Sequence, residues 1–162
     1  SMEPCLSKMV GRGVRFELDI EPGLDESAIR MDRGQFKNAI VTLIKNARDS
    51  MPDGGRVRVL LGPGDSTPGG IGSTMTVRVV DDGIGMTEGV RARVFEPFFT
   101  TKPREQGAGM ALASVYASVH AIGGRITVDS VPDLGTSFRL DLPCWVDEPA
   151  VVEEVVSTES GV

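Results

Sequence analysis

The chain predicts a two-layer α/β sandwich of the α+β kind, in which one mixed, mostly antiparallel sheet is covered on one face by helices. Three observations carry that prediction. Short runs of alternating apolar and polar residues recur along the chain, two longer segments carry apolar residues at helical spacing, and clusters of glycine and proline separate them. With 162 residues, 40% of them hydrophobic, the chain suffices for one core and is too short for two ordinary domains.

The first strand is predicted over residues 14 to 21, where Val14, Phe16, Leu18 and Ile20 alternate with Arg15, Glu17, Asp19 and Glu21. After Pro22-Gly23, the segment from Asp32 to Met51 places Phe36, Ala39, Ile40, Leu43, Ile44 and Ala47 on one helical stripe, which Pro52-Asp53-Gly54-Gly55 ends. Two β-rich runs, Arg56 to Leu61 and Met75 to Val80, predict a hairpin whose long glycine-rich tip has no nearby lysine or following helix and is given no function. A short helix is expected near Glu88 to Phe95, then a loop from Glu96 to Gly107. A second long helix follows, opened by Gly107-Ala108-Gly109-Met110, carrying Leu112, Val115, Tyr116, Val119 and Ile122, and capped by Gly123-Gly124. The final hairpin runs over Arg125 to Val131 and Thr136 to Leu142, with Phe138, Leu140 and Leu142 inward. The uncovered face of such a sheet is either solvated or docked to another domain.

Composition excludes several functions. No apolar run approaches the roughly 18 residues of a membrane span, and Ser1-Met2-Glu3-Pro4 lacks the basic start of a signal peptide. Cys5 and Cys144 have neither metal-ligand spacing nor a disulfide framework. Together these predict a cytoplasmic module without direct membrane contact. Of the net charge of −6, most sits in a tail where Asp147, Glu148, Glu153, Glu154 and Glu159 stand without a base. The remainder has no basic face, and a single Trp and a single Tyr make no stacking platform, so nucleic acid is not an expected partner. The folded domain is expected over residues 14–143, with a linker at 1–13 and an acidic, disordered linker at 144–162.

Four segments carry possible chemistry. Asn46 lies about a quarter turn from the middle of its helix's apolar stripe, on an edge with Thr42 and Ser50; its amide oxygen suits a hard cation, although a solvated surface asparagine explains it equally simply. Asp81-Asp82-Gly83-Ile84-Gly85-Met86 follows a strand, where a carboxylate can accept from an amine and glycines admit a flat ring; alone, it reads better as a turn. Phe95, Phe98 and Phe99 by themselves suit a small hydrophobic cluster under a loop. Gly107-Ala108-Gly109-Met110 leaves free amides at a helix start, an anion site to which Lys102 and Arg104 could add charge.

Taken together and in order, these segments resemble the boxes of the histidine kinase catalytic domain, most nearly those of the nitrogen-sensor and hybrid kinase branch. Asp32 to Gly55 resembles the asparagine box, VVDDGIGM the first glycine box, VFEPFFTTKP the phenylalanine box and lid, GAGMALASVYASVHAIGG the second glycine box, and Gly135-Thr136 the last. The similarity spans about residues 13 to 143. It implies a Bergerat-type sandwich that binds ATP with Mg2+ and passes the γ-phosphate to a histidine on a separate domain. In that resemblance Asn46 coordinates magnesium, Asp81 accepts the adenine amine with Thr136 assisting through water, and Gly83, Ile84, Gly85 and Met86 line the purine. Thr100, Thr101 and Lys102 belong to the lid, with Lys102 beside Asn46 in the catalytic set, and Gly107, Ala108, Gly109 and Met110 hold the phosphates. Asp49 and Ser50 are further pocket candidates, while Phe98 and Phe99 couple the lid to docking. The implied partners are the dimerisation and phosphoacceptor helices, to which residues 1–13 lead, and a response-regulator receiver domain.

Two departures shape the expectation. The family's second glycine box reads Gly-Thr-Gly-Leu-Gly, whereas Ala108 and Ala111 stand here at its second and fifth positions; loss of the threonine hydroxyl weakens phosphate binding by about 1 kcal/mol. ATP-hydrolysing relatives of the fold carry a glutamate one turn before the asparagine, where this chain has Thr42, which cannot take a proton from water. Hydrolysis is therefore expected to be negligible. His120, the only histidine, lacks the flanking signature of a phosphoacceptor and is expected to be structural or a surface residue.

Overall fold

The computed structural model describes residues 13–22, 24, 29–64, 74–100 and 110–144. The expected linkers, the tip of the first hairpin, and the segment carrying Thr101, Lys102, Gly107, Ala108 and Gly109 lie outside them, apart from Gly13 and Cys144 at the two edges. Five strands, β1 (Val14–Ile20), β2 (Gly55–Pro63), β3 (Thr74–Asp81), β4 (Arg125–Val131) and β5 (Gly135–Pro143), form one sheet in the order β1-β2-β3-β5-β4. Only β1 and β2 pair in parallel; the other neighbours are antiparallel. The mixed, mostly antiparallel sheet expected from the sequence is thus present.

Register makes the inward face a set of transverse rows. Ile20, Leu61, Val77, Leu140 and Ile126 form one row, and Leu18, Val59, Val79, Phe138 and Val128 the next. A third row begins with Phe16 and Val57 but continues with Asp81, Thr136 and Ser130. Period-two alternation leaves these three no other face, so polar groups are placed at the end of an apolar surface.

Helix α1 (Arg33–Asp49) covers that surface with the predicted stripe: Phe36, Ala39, Ile40, Leu43, Ile44 and Ala47 are all buried. Its start is fixed by Asp32, whose Oδ2 accepts from the N–H groups of Gly34 at 2.9 Å and Gln35 at 3.3 Å. Helix α2 (Glu88–Arg93) is short and capped by Thr87, which accepts from Val90 N–H. Helix α3 (Ala111–Ala121) adds Val115 and Val119 to the core. Gly124 N–H donates to Val119 O and Gly123 N–H to His120 O, a Schellman ending with Gly123 at φ 78°.

Ile20 shares the inward face by register yet is 42% exposed, because it ends an edge strand with a neighbour on one side only. The second long helix begins at Ala111 with Met110 as its N-cap, without a side-chain capping bond.

The burial difference is measurable. Leu43→Ala, at a site with no exposure, should lower the unfolding free energy by about 3 kcal/mol in urea titrations, and Ile20→Ala by less than about 1 kcal/mol.

Candidate functional site

Asp81 ends β3, where the alternation of Met75, Val77 and Val79 turns it onto the inward face, and it is only 5% exposed. A carboxylate there must be compensated, and the compensation is one-sided. Oδ1 accepts from Gly83 N–H at 2.9 Å and Thr136 N–H at 3.2 Å, and lies 3.3 Å from Ser50 Oγ. Among the described residues nothing donates to Oδ2. No side-chain oxygen or nitrogen of the described residues is both sealed from solvent and unpartnered, so Oδ2 is not fully sealed. Burial raises the Asp81 pKa above its ordinary 3.8, opposed by the hydrogen bonds from Gly83, Ser50 and Thr136 and reinforced by the neighbouring charge of Asp82.

The loop after β3 is clamped from two sides. On one side lies the end of α1: Ile84 N–H donates to Ser50 O at 3.0 Å, and a Cβ on Gly83 would overlap Ser50 Oγ. On the other lies the β4–β5 turn: Asp133 N–H donates to Ile84 O at 2.7 Å, and Gly85, at φ 67°, has no room for a Cβ against Val131 O. The family resemblance assigns both glycines to the purine; the protein's own backbone already requires them. The Ile84 side chain is 62% exposed, so its backbone is what it lends the loop. Met86 packs partly against the core, and its N–H donates to Ser130 Oγ at 2.8 Å.

Ser130 lies outside the motifs that the sequence singles out. Its signal was a hydroxyl where the alternation of Ile126 and Val128 calls for an apolar residue. It bonds Gly135 O at 3.0 Å and Thr136 Oγ1 at 2.8 Å, tying β4, β5 and the loop together.

Of the other predicted residues, Asn46 is partly buried on α1, one turn before Ser50. The Asp49 carboxylate pairs with Arg48 at 3.2 Å. Thr100 is exposed at the edge of the described residues, before the undescribed Thr101 and Lys102. Met110 is 45% exposed; Ala111 is the first residue of α3, where a methyl suits the backbone. His120 is exposed, its ring 4.2 Å from Tyr116.

The phenylalanines divide their roles. Phe95 packs on Tyr116 and Phe138 with ring centroids 5.3 and 6.1 Å away. Arg93, bonded to Glu96 at 3.0 Å, sits 4.5 Å over the Phe99 ring. Phe98 is 75% exposed and held at φ 65°, a conformation that costs a bulky residue about 1 kcal/mol or more.

A family model described as Histidine kinase-, DNA gyrase B-, and HSP90-like ATPase matches residues 31–145, and the chain belongs to that family. It is an ATP-binding domain similar to the catalytic domains of sensor histidine kinases. Sensor kinase CckA of Brucella abortus is 34% identical over 154 residues, 88% of this chain and 16% of that protein. Sporulation kinase A of Bacillus subtilis is 38% identical over 119 residues, 74% of this chain and 18% of that protein. The chain thus spans less than a fifth of these relatives, which are longer sensor kinases. Among solved structures, the mycobacterial sensor histidine kinase MprB superposes with a TM-score of 0.67 at 27% identity, covering 88% of this chain and 94% of that one. Full-length ShkA in complex with AMPPNP gives 0.68 at 25% identity, covering 91% and 29%. No helix of the described residues is long and apolar enough to cross a membrane.

The raised Asp81 pKa has a sign that can be checked. Between 3.8 and its folded value the native state holds a proton that the unfolded chain has lost, so this group's contribution to stability falls as pH rises through that window. Asp81→Asn removes the effect. In urea titrations the variant should gain stability relative to the wild type as pH rises above 3.8, levelling once Asp81 is ionised in the folded state.

Proposed function

We propose that this domain binds magnesium-ATP at the Asp81 cluster and presents the γ-phosphate to a histidine carried by a separate dimerisation and phosphoacceptor domain. The observation that carries the reading is the divided carboxylate: Oδ1 accepts from three protein donors, while Oδ2 has no donor among the described residues, is not fully sealed and, when ionised, can only accept, the complement of an exocyclic amine. ShkA, a structural neighbour, was solved with AMPPNP, which supports the same ligand class.

Around that anchor, Thr136 stands beside the base and the loop Gly83 to Met86 supports it, with Ser50 bracing both the loop and Asp81. Asn46 would give its amide oxygen to Mg2+. No group of three or more His, Cys, Asp or Glu among the described residues could cage a metal, and Mg2+ fits one protein ligand because it keeps water and arrives on phosphate oxygens. Lys102, Thr100 and Thr101 on the lid, with Gly107, Ala108, Gly109 and Met110, would hold the phosphates. In the transfer, the acceptor imidazole nitrogen bonds the γ-phosphorus as the bond to the ADP oxygen breaks, and the domain contributes alignment and charge neutralisation. Thr42 supplies no base for water, so hydrolysis does not compete.

Phe98 supports the partner. An exposed phenylalanine held at positive φ is costly twice within this chain, and a surface on the phosphoacceptor helices would recover both costs. The segments 1–13 and 144–162 then serve as linkers, the first from those helices and the second toward a receiver domain; the module works in the cytoplasm.

Asp81→Asn should weaken ATP by at least about tenfold in calorimetric titration with the fold intact, because an amide donor can then face the amine. Asn46→Ala should weaken only the magnesium-dependent part of ATP binding and spare magnesium-free ADP; equal losses would make Asn46 structural. Incubated with γ-labelled ATP, the chain alone should neither label itself nor release phosphate usefully, and should label an added phosphoacceptor fragment, with Phe98→Ala reducing that transfer but not nucleotide binding. Binding without transfer to any fragment would instead mark a nucleotide-binding module without kinase activity, and rapid phosphate release would show that the domain activates water despite Thr42.

A further inference from the structure

Ser130 has no part in the roles above, yet its hydroxyl sets the hydrogen-bond polarity of the residue beside Asp81. Three groups lie at hydrogen-bond distance from Oγ: Met86 N–H at 2.8 Å, Gly135 O at 3.0 Å and Thr136 Oγ1 at 2.8 Å. A serine hydroxyl has one hydrogen and two lone pairs. The Met86 amide can only donate and takes one lone pair. The Gly135 carbonyl can only accept and takes the hydrogen. What is left for Thr136 is the second lone pair, so Thr136 donates its own hydrogen to Ser130. The reverse arrangement would set Ser130 Oγ and Gly135 O against each other as two acceptors 3.0 Å apart.

With that hydrogen spent, Thr136 Oγ1 offers only lone pairs to any other group. Thr136 is the cross-strand partner of Asp81 and donates its backbone N–H to Oδ1. Oδ2 of the ionised carboxylate can likewise only accept. We propose that Ser130 is a positioning residue that fixes Thr136 as an acceptor, so that the wall formed with Asp81 is acceptor-only and selects a nucleobase bearing an exocyclic amine over one bearing a carbonyl there. A threonine hydroxyl free to rotate would turn its hydrogen toward the carbonyl and recover part of the lost binding; one tied to Ser130 cannot. The inference rests on the reading of Asp81 as the base-recognition group.

The test is calorimetric titration of the full chain with magnesium-free ADP and IDP, which share sugar and phosphates and differ at the 6-position, amine or carbonyl, and at N1, acceptor or N–H donor, so the proposal requires the 6-position contact to outweigh the one at N1. The wild type should prefer ADP. Ser130→Ala should narrow the ADP to IDP affinity ratio by about three- to tenfold, whereas Ser130→Thr, which keeps a hydroxyl, should retain it. Thr136→Val should narrow the ratio by itself, and adding Ser130→Ala should narrow it no further, because Ser130 acts through that hydroxyl. Should Ser130→Ala melt below the assay temperature, Ser130→Cys, whose thiol is a weak acceptor, makes the same comparison. A parallel loss of both affinities with an unchanged ratio would reduce Ser130 to a loop brace and overturn the proposal, as would further narrowing in the double variant. A wild-type chain that binds neither nucleotide would instead overturn the base-recognition reading on which the proposal stands. Binding both equally would spare the site and remove its selectivity.

Discussion

A single carboxylate oxygen organises this domain. Oδ1 of Asp81 is where the end of α1, the loop after β3 and the start of β5 meet, through Ser50, Gly83 and Thr136. Three donors on one oxygen are what make a buried carboxylate tolerable at the edge of an apolar core. They also decide which oxygen is left for a ligand. Structural satisfaction and functional exposure therefore belong to the two halves of one side chain.

That arrangement has a cost, visible in the direction of the Asp81 pKa. Desolvation outweighs the three hydrogen bonds, so the ionised form is held against a net penalty. Phe98 repeats the pattern on the surface: an aromatic side chain is presented to solvent from a backbone conformation that disfavours it. Each group is poorly accommodated within this chain, and each has chemistry that a second molecule can complete, an amine in one case and an apolar surface in the other. Beside them, Phe95 packs on Tyr116 and Phe138, and the Ser130 hydroxyl accepts from Met86 N–H in the loop after β3.

The Ser50 contact shows how closely the two layers are tuned. Its carbonyl receives Ile84 N–H, and its hydroxyl lies 2.7 Å from Ala47 O and 3.3 Å from Asp81 Oδ1, sharing one hydrogen between them. Gly83 has no Cβ because α1 stands where it would go. A glycine at this position is thus a packing requirement between helix and loop before it is a feature of any binding surface.

The elements were legible in the sequence because their signals are local. Period-two alternation marked the strands, the stripe from Phe36 to Ala47 marked α1, and the double glycine marked the end of α3. The run that Asp81 opens reads by itself as a turn after a strand, and family resemblance singles out both Asp81 and Thr136. Three things depended on tertiary structure. Ile20 alternates as an inward residue but ends an edge strand, and strand order cannot be read from alternation. Gly83 and Gly85 read as turn residues or, through the resemblance, as a purine floor, but the packing that requires them lies in α1 and the β4–β5 turn, which are distant in sequence. Ser130 carried only the faint signal of a hydroxyl on an apolar face, since its effect comes from the register that sets β4 against β5 beneath the loop. Sequence determines which side chains alternate inward; only the pairing of strands decides which of them meet, and hydrogen-bond polarity is a property of that meeting.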